Sequence, residues 1–171
     1  QCQDVQKRFL SDVMERIDHM DITKDDFSDL EFLEEKIGNS RFVFLGEESH
    51  GGGATMMMKG RIIRYLHEKL GFNVLAWESG VISMEHVDKA MKDPSINAFR
   101  SAKRGIGWVW SHTVETQPLF RYLKEIGSSD NPLIQAGFDC QLTGYEDAAI
   151  FVGEIEAFFN AGSKKLASKV D

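Results

Sequence analysis

Apolar residues along the chain mostly return at helical spacing, and three short unbroken apolar runs interrupt that rhythm. Val5, Phe9, Leu10, Val13, Met14 and Ile17 share one face of a 3.6-residue period, which predicts an amphipathic helix. Phe27, Leu30, Phe32 and Leu33, set among the acids between Asp25 and Glu35, predict a second, short helix. The texture then changes. Arg41-Phe42-Val43-Phe44-Leu45-Gly46 is an apolar run ending at glycine, the pattern of a buried strand. After a loop from Glu47 to Gly53, the residues Met57, Met58, Ile62, Ile63, Leu66 and Leu70 follow a helical period, and Gly71 closes it. Phe72-Asn73-Val74-Leu75-Ala76-Trp77 predicts a second strand, ending at Glu78. Helical patterns follow from Met84 to Met91, Ile96 to Lys103 and Thr113 to Ile126. Pro132 to Phe138 predicts a third strand, ending at Asp139, and a last helix is expected from Tyr145 to Phe159.

Strands alternating with helices predict an α/β fold: a mostly parallel sheet flanked by helices, joined by right-handed crossovers. The expected organisation is an N-terminal helical segment over 1–40 and an α/β domain over 41–171. In such a sheet the ligand-binding loops lie at the carboxyl edge of the strands. Each predicted strand runs into ionisable residues there: Glu47, Glu48 and His50 after the first, Glu78 after the second, Asp139 after the third. Surface charge scattered at random does not often do this.

Composition narrows the function classes. A length of 171 residues suits one domain, and 42% apolar residues, with 12 Phe and 3 Trp, suffice for a core, which excludes wholesale disorder. No stretch approaches the ~20 apolar residues of a membrane-spanning helix. Twenty Lys and Arg against 27 Asp and Glu leave a net charge of −7, and no basic cluster is present. That argues against nucleic acid and anionic membrane surfaces as partners. Cys2 and Cys140 are too few for a disulfide framework or a Cys-rich zinc site. The chain starts Gln1-Cys2-Gln3 without Met, as after removal of a leader or from within a longer gene product, and stops without a closing apolar element. A larger parent protein is expected, and the sequence leaves the compartment open between cytoplasmic and, if a leader was removed, periplasmic or secreted.

The chemistry centres on His50, whose ordinary pKa lies near working pH and suits a general base. Glu47 or Glu78 can hold its ring; the bland alternative is a loop histidine. Gly51-Gly52-Gly53, just before a helix start, lets backbone amides approach a ligand; the alternative is a turn that needs positive φ. Glu78 follows six largely apolar residues, so partial desolvation and a raised pKa are expected, against a strand end paired with Lys59 or Arg61. Asp139 is a weaker candidate, since Asp commonly caps a following turn. Trp108 and Trp110, off any clear helix, are candidates for a substrate wall or for core. His112 has no evident partner. Glu47, His50, Glu78, His112 and Asp139 could supply metal ligands, yet no His-x-x-x-His or His-Glu-x-x-His spacing occurs, and no metal or cofactor is assigned. Neither a Gly-x-Ser-x-Gly elbow nor a nucleotide-binding glycine motif is present.

Four motifs in order then resemble the erythromycin esterase family over residues 41 to 141. They are Gly46-Glu47-x-x-His50-Gly51 before a helix, Gly71-Phe72 with a strand ending in Glu78, Trp108-x-Trp110 with Glu115, and Gly137-Phe138-Asp139-x-Gln141. The resemblance implies hydrolysis of a carboxylic ester or macrolide lactone by activated water, with no covalent serine intermediate. It implies His50 as general base, Glu47 and Glu78 as its supports, and Lys59 as a basic residue near the site. Gly51, Lys59, Trp108, Trp110 and Asp139 are then the candidate substrate contacts, with a small ester or lactone as the partner. Two departures stand out: Ala54-Thr55 replaces a Glu-Phe pair common after the His-Gly step, and family members are much longer. A metal-dependent enzyme on the same rim and a binding domain without catalysis are the rival expectations.

Overall fold

The computed structural model describes residues 14–143 and 147–162. A 3₁₀ turn at Ser28–Leu30 leads into α1 (Phe32–Ile37), and α2 spans Gly53–Glu68. Strand β1 (Val74–Gly80) is followed by α3 (Val81–Lys92), α4 (Ala98–Lys103) and the single turn α5 (Trp108–Ser111). A second 3₁₀ turn at Val114–Thr116 opens α6 (Gln117–Ile126), then come β2 (Ile134–Asp139) and α7 (Asp147–Gly162). No described helix is long and apolar enough to cross a membrane.

Local chemistry explains the boundaries. Gly71 adopts φ +72°, a left-handed turn that only glycine takes at no steric cost, and the Phe72 amide donates back to the Leu66 carbonyl. Asn97 caps α4 by accepting the Arg100 amide at 2.9 Å. Pro118 sits in the first turn of α6, where a missing amide hydrogen costs nothing. The main core joins Met84 and Val87 of α3, Ala102 of α4, Phe120 and Leu123 of α6 and Leu133 beside β2, all buried. A second cluster of Phe27, Leu30 and Tyr65 clamps the N-terminal turns to α2.

Among the described residues the sheet has two strands, β1 and β2, paired in parallel with α3 to α6 as the crossover. The molecule is thus a mixed helix-and-strand fold with a small parallel sheet. The register runs from Val74–Ile134 to Trp77–Gly137 and then jumps to Gly80–Asp139, so β1 inserts a bulge carrying Glu78 and Ser79. Gly137 makes room for it: a Cβ there would press on the Ser79 carbonyl oxygen and lie 2.6 Å from that of Gly80. Both obstacles are backbone and cannot rotate away. Gly137→Ala is therefore expected to destabilise the fold by about 1–3 kcal/mol, the usual cost of overpacking. Urea unfolding would show it as a lower midpoint, and an unchanged midpoint would refute the steric argument.

Several sequence expectations change. Residues 41–46 form no strand; the segment is irregular and makes no ladder hydrogen bond among the described residues. Val43 and Leu45 turn inward, with Leu45 against the core, while Phe42 and Phe44 face out. The alternation of a strand is present, but a ladder needs a hydrogen-bonded neighbour, and among the described residues only β1 and β2 pair. Met14 to Ile17 are irregular and the rest of the expected first helix lies outside the described residues. The Trp pair expected off any helix lies on α5. Thr113 to Ile126 splits into a 3₁₀ turn and α6. The last helix is α7; its expected start at Tyr145 is outside the described residues, as is Cys2.

Candidate functional site

Glu47 organises the site. The alternation that turns Val43 and Leu45 inward carries Glu47 inward as well, leaving its side chain 11% exposed. Lys59 lies one turn from both Met56 and Ile63, which are buried, so its stem follows the core side of α2 and its head reaches the loop. Its Nζ donates to Glu47 Oε2 at 2.9 Å. His50 Nδ1 is hydrogen-bonded to Glu47 Oε1. From α5, Trp110 Nε1 directs its hydrogen at both carboxylate oxygens, 3.3 and 3.4 Å away. Burial works against charge on Glu47, but the hydrogen bonds from Lys59, His50 and Trp110 and the Lys59 charge outweigh it. Its carboxyl is held below the usual range.

The consequence falls on His50. An ionised carboxylate can only accept, so Nδ1 carries the hydrogen, and in the neutral ring Nε2 keeps a lone pair. The side chain is 60% exposed, with the Trp110 ring edge-on to it at 5.8 Å. The imidazole is thus fixed at one nitrogen and open at the other.

The glycine run has a different reason from a turn of positive φ: among the described residues only Gly38 and Gly71 adopt one. Gly53 begins α2, and a Cβ there would lie 2.8 Å from Glu115 Oε1, so this glycine admits a carboxylate over the helix start. A Cβ on Gly51 would meet only Ser49 Oγ, in ordinary contact at 3.8 Å. Ser49 organises the turn, accepting the Gly51 amide on Oγ and the Gly52 amide on its carbonyl, each at 3.3 Å. Ser49 and Glu115 in these roles escaped the sequence reading, although both stand within or beside the motifs.

The other candidates are placed less tightly. Glu78 sits in the β1 bulge and is exposed, so the expected desolvation is absent; it makes no hydrogen bond or ion pair with any described residue. Its expected alternatives, Lys59 and Arg61, pair instead with Glu47 and Asp29. Asp139 accepts the Gln141 amide at 3.1 Å, the turn-capping role, and the Gly80–Asp139 pairing puts it on the same sheet edge as the bulge. Trp108 is 71% exposed and stacks on His112 at 5.3 Å. His112 Nδ1 lies 3.1 Å from Ser111 Oγ. No three of the described His, Cys, Asp and Glu residues converge as metal ligands, so Glu47, His50, Glu78, His112 and Asp139 do not form one cluster. An apolar groove of about 300 Å³ between α3 and α7, lined by Ile82, Phe151 and Phe158, shares no residue with this site.

The β1 end and α5 are tied together. Ser79 Oγ accepts the Gly107 amide at 3.0 Å, and Thr143 Oγ1 accepts the Gly80 amide at 2.9 Å while donating to the Gly105 carbonyl at 2.8 Å. These bonds bring Trp110 over the loop that holds Glu47.

Comparison with known proteins gives three likenesses. The chain is 40% identical over 115 residues to the Bacillus subtilis (strain 168) protein named "Putative hydrolase YbfO"; the match covers 66% of this chain and 25% of that protein. A crystal structure of a Bacillus cereus protein superposes with a TM-score of 0.76 at 22% identity, covering 98% of this chain and 39% of that one. The crystal structure of a protein titled as a succinoglycan biosynthesis protein gives a TM-score of 0.68 at 22% identity, covering 80% and 35%. No family model matches the chain. The two superpositions establish the fold. The chain spans a quarter of the length of YbfO and about two fifths or less of the two solved chains.

Proposed function

We propose that this chain carries the water-activating part of a hydrolase, and that its reaction is cleavage of a carboxylic ester or macrolide lactone of the erythromycin esterase type. The observation that carries the reading is the His50 imidazole, clamped at Nδ1 by a buried carboxylate and open at Nε2. The name of YbfO supports the general class, and the four ordered motifs support the ester. Because the chain covers a quarter of YbfO, the proposal concerns the chemistry of the loop and its supports, not a complete substrate cleft.

His50 Nε2 removes a proton from water as the oxygen adds to the ester carbonyl carbon. The carbonyl oxygen gains negative charge, which the Lys59 ammonium meets; the Gly51 and Gly52 amides are already given to Ser49. The tetrahedral species collapses, the carbon–alkoxide bond breaks, and the proton on His50 passes to the leaving oxygen, giving acid and alcohol. Glu47 stays ionised throughout and stabilises the transient imidazolium. Glu78, on the exposed bulge and without a side-chain partner among the described residues, is the carboxylate proposed to orient water or substrate. Trp108, Gly51 and Asp139 are the proposed edges of the substrate site.

Hydrolysis of a macrolide lactone or a simple aryl ester in ¹⁸O-labelled water tests the reaction. The expected product gains one water, with a single ¹⁸O in the acid, and the quenched protein keeps its unmodified mass. An acyl-protein adduct, or no product from either substrate, would overturn the proposal.

A further inference from the structure

We infer that Trp110 is a positioning residue that acts through Glu47, rather than part of a wall against which substrate packs. This inference rests on the reading of Glu47 and His50 as an acceptor and its base. Tryptophan is a donor only, with one N–H, and that N–H is spent on the Glu47 carboxylate, 3.3 Å from Oε1 and 3.4 Å from Oε2. Glu47 thereby receives donors from three separate places: His50 in its own loop, Lys59 on α2 and Trp110 on α5. Two donors leave a carboxylate free to swing about the axis they define. A third, from another direction, fixes its plane, and the plane decides where the His50 ring points.

The ring of Trp110 is itself held. It folds back on Gly107, where a Cβ would lie 3.1 Å from two of its ring carbons. It also packs at 6.4 Å on Trp77, whose own Nε1 donates to the buried Gln135 at 3.0 Å. Gly107 in turn is bonded to Ser79 in the β1 bulge. The indole is therefore braced from the sheet side, as a support must be. Trp108, two residues away, is exposed and its indole N–H has no partner among the described residues.

The test is Trp110→Phe, which keeps an aromatic ring for packing and removes the N–H. Two readouts are taken. In the ¹⁵N spectrum of the imidazole, His50 of the unaltered chain should be the Nδ1–H tautomer, and in Trp110→Phe it should shift toward a mixture. In ester hydrolysis, kcat should fall roughly 10-fold with KM changed by less than about 2-fold. That is short of the ~10²-fold that a 1 Å misplacement costs. An unchanged tautomer overturns the inference, and so does a raised KM at unchanged kcat, which would make Trp110 a substrate contact. If the unaltered chain hydrolyses no ester, the functional proposal fails while the tautomer readout still decides this one. Should Trp110→Phe not fold, Glu47→Gln serves. Loss of the charged acceptor should move the Trp110 indole proton toward the position of a free indole and leave that of Trp77 in place. An unmoved Trp110 signal would overturn the inference.

Discussion

Replacing His50 with Ala is expected to lower ester or lactone hydrolysis by about 10²- to 10⁴-fold, the range a positioned general base contributes. The fold should barely notice. The side chain is 60% exposed and its one strong bond is to Glu47, so unfolding free energy should change by no more than about 0.5 kcal/mol, as for other surface sites. Activity and stability therefore separate in this variant, which is what distinguishes a chemical role from a packing one. Glu47→Gln gives the companion measurement. The amide keeps the shape of the carboxylate but cannot stabilise an imidazolium, and it leaves the half-buried Lys59 without its ion pair. A fall in kcat of about 10²-fold at similar KM is expected, because the stabilisation it removes exists mainly in the transition state. Full activity in His50→Ala would end the proposed mechanism; full activity in Glu47→Gln would leave the base and remove its support from the account.

The largest effect on stability is expected at Arg61, far from the chemistry. Its side chain is fully buried and forks onto Asp29, with Nη1–Oδ2 at 2.8 Å and Nη2–Oδ1 at 2.5 Å. The same guanidinium donates to the carbonyls of His19 at 2.8 Å and Asp26 at 2.7 Å. One side chain of α2 thus fastens the run from His19 to Asp29. Arg61→Met removes the charge while filling much of the volume, and leaves the Asp29 carboxylate, 4% exposed, with no cation. Breaking a buried pair on one side costs about 3–5 kcal/mol. Removing both charges, as Arg61→Met with Asp29→Leu, should recover much of the loss, because the penalty lies in the stranded charge. Urea unfolding of the single and double variants measures both figures, and a single-variant loss below about 1 kcal/mol would contradict the argument. Acid gives a second check. Hydrogen bonds from Arg61, opposed by burial, hold the Asp29 carboxyl well below the usual carboxylate range. A group depressed on folding contributes its stability above its unfolded pKa, near 4, and loses it as pH falls toward the folded value. The unaltered chain should lose stability steadily below about pH 4, and Asp29→Leu should lose less over that interval.

Hydrophobic spacing alone determined where most of the regular structure lies. The stripe from Met57 to Leu70 became α2, Gly71 took the left-handed turn expected of it, and the runs ending at Glu78 and Asp139 became a parallel pair. These features are local: a helix closes its own hydrogen bonds, and a helical stripe or a glycine at positive φ reports the same constraint wherever it stands. Residues 41–46 show the limit. Their alternation is real, and it turns Glu47 inward, but a strand exists only with a neighbour, and nothing within six residues encodes one. The site divides in the same way. His50 and Glu47 are three residues apart in one loop, so the sequence could propose their pairing. Lys59 stands twelve residues from Glu47 and could be guessed from the motif. The donation from Trp110 to Glu47 spans 63 residues, and the Arg61–Asp29 fork spans 32. The bulge that exposes Glu78 depends on Gly137 in the other strand. Contacts of that range depend on how helices and strands pack, which no local pattern carries. The chain by itself offered the candidate groups; tertiary packing decided which carboxylate is drawn inward, which is exposed, and which nitrogen of His50 faces Glu47.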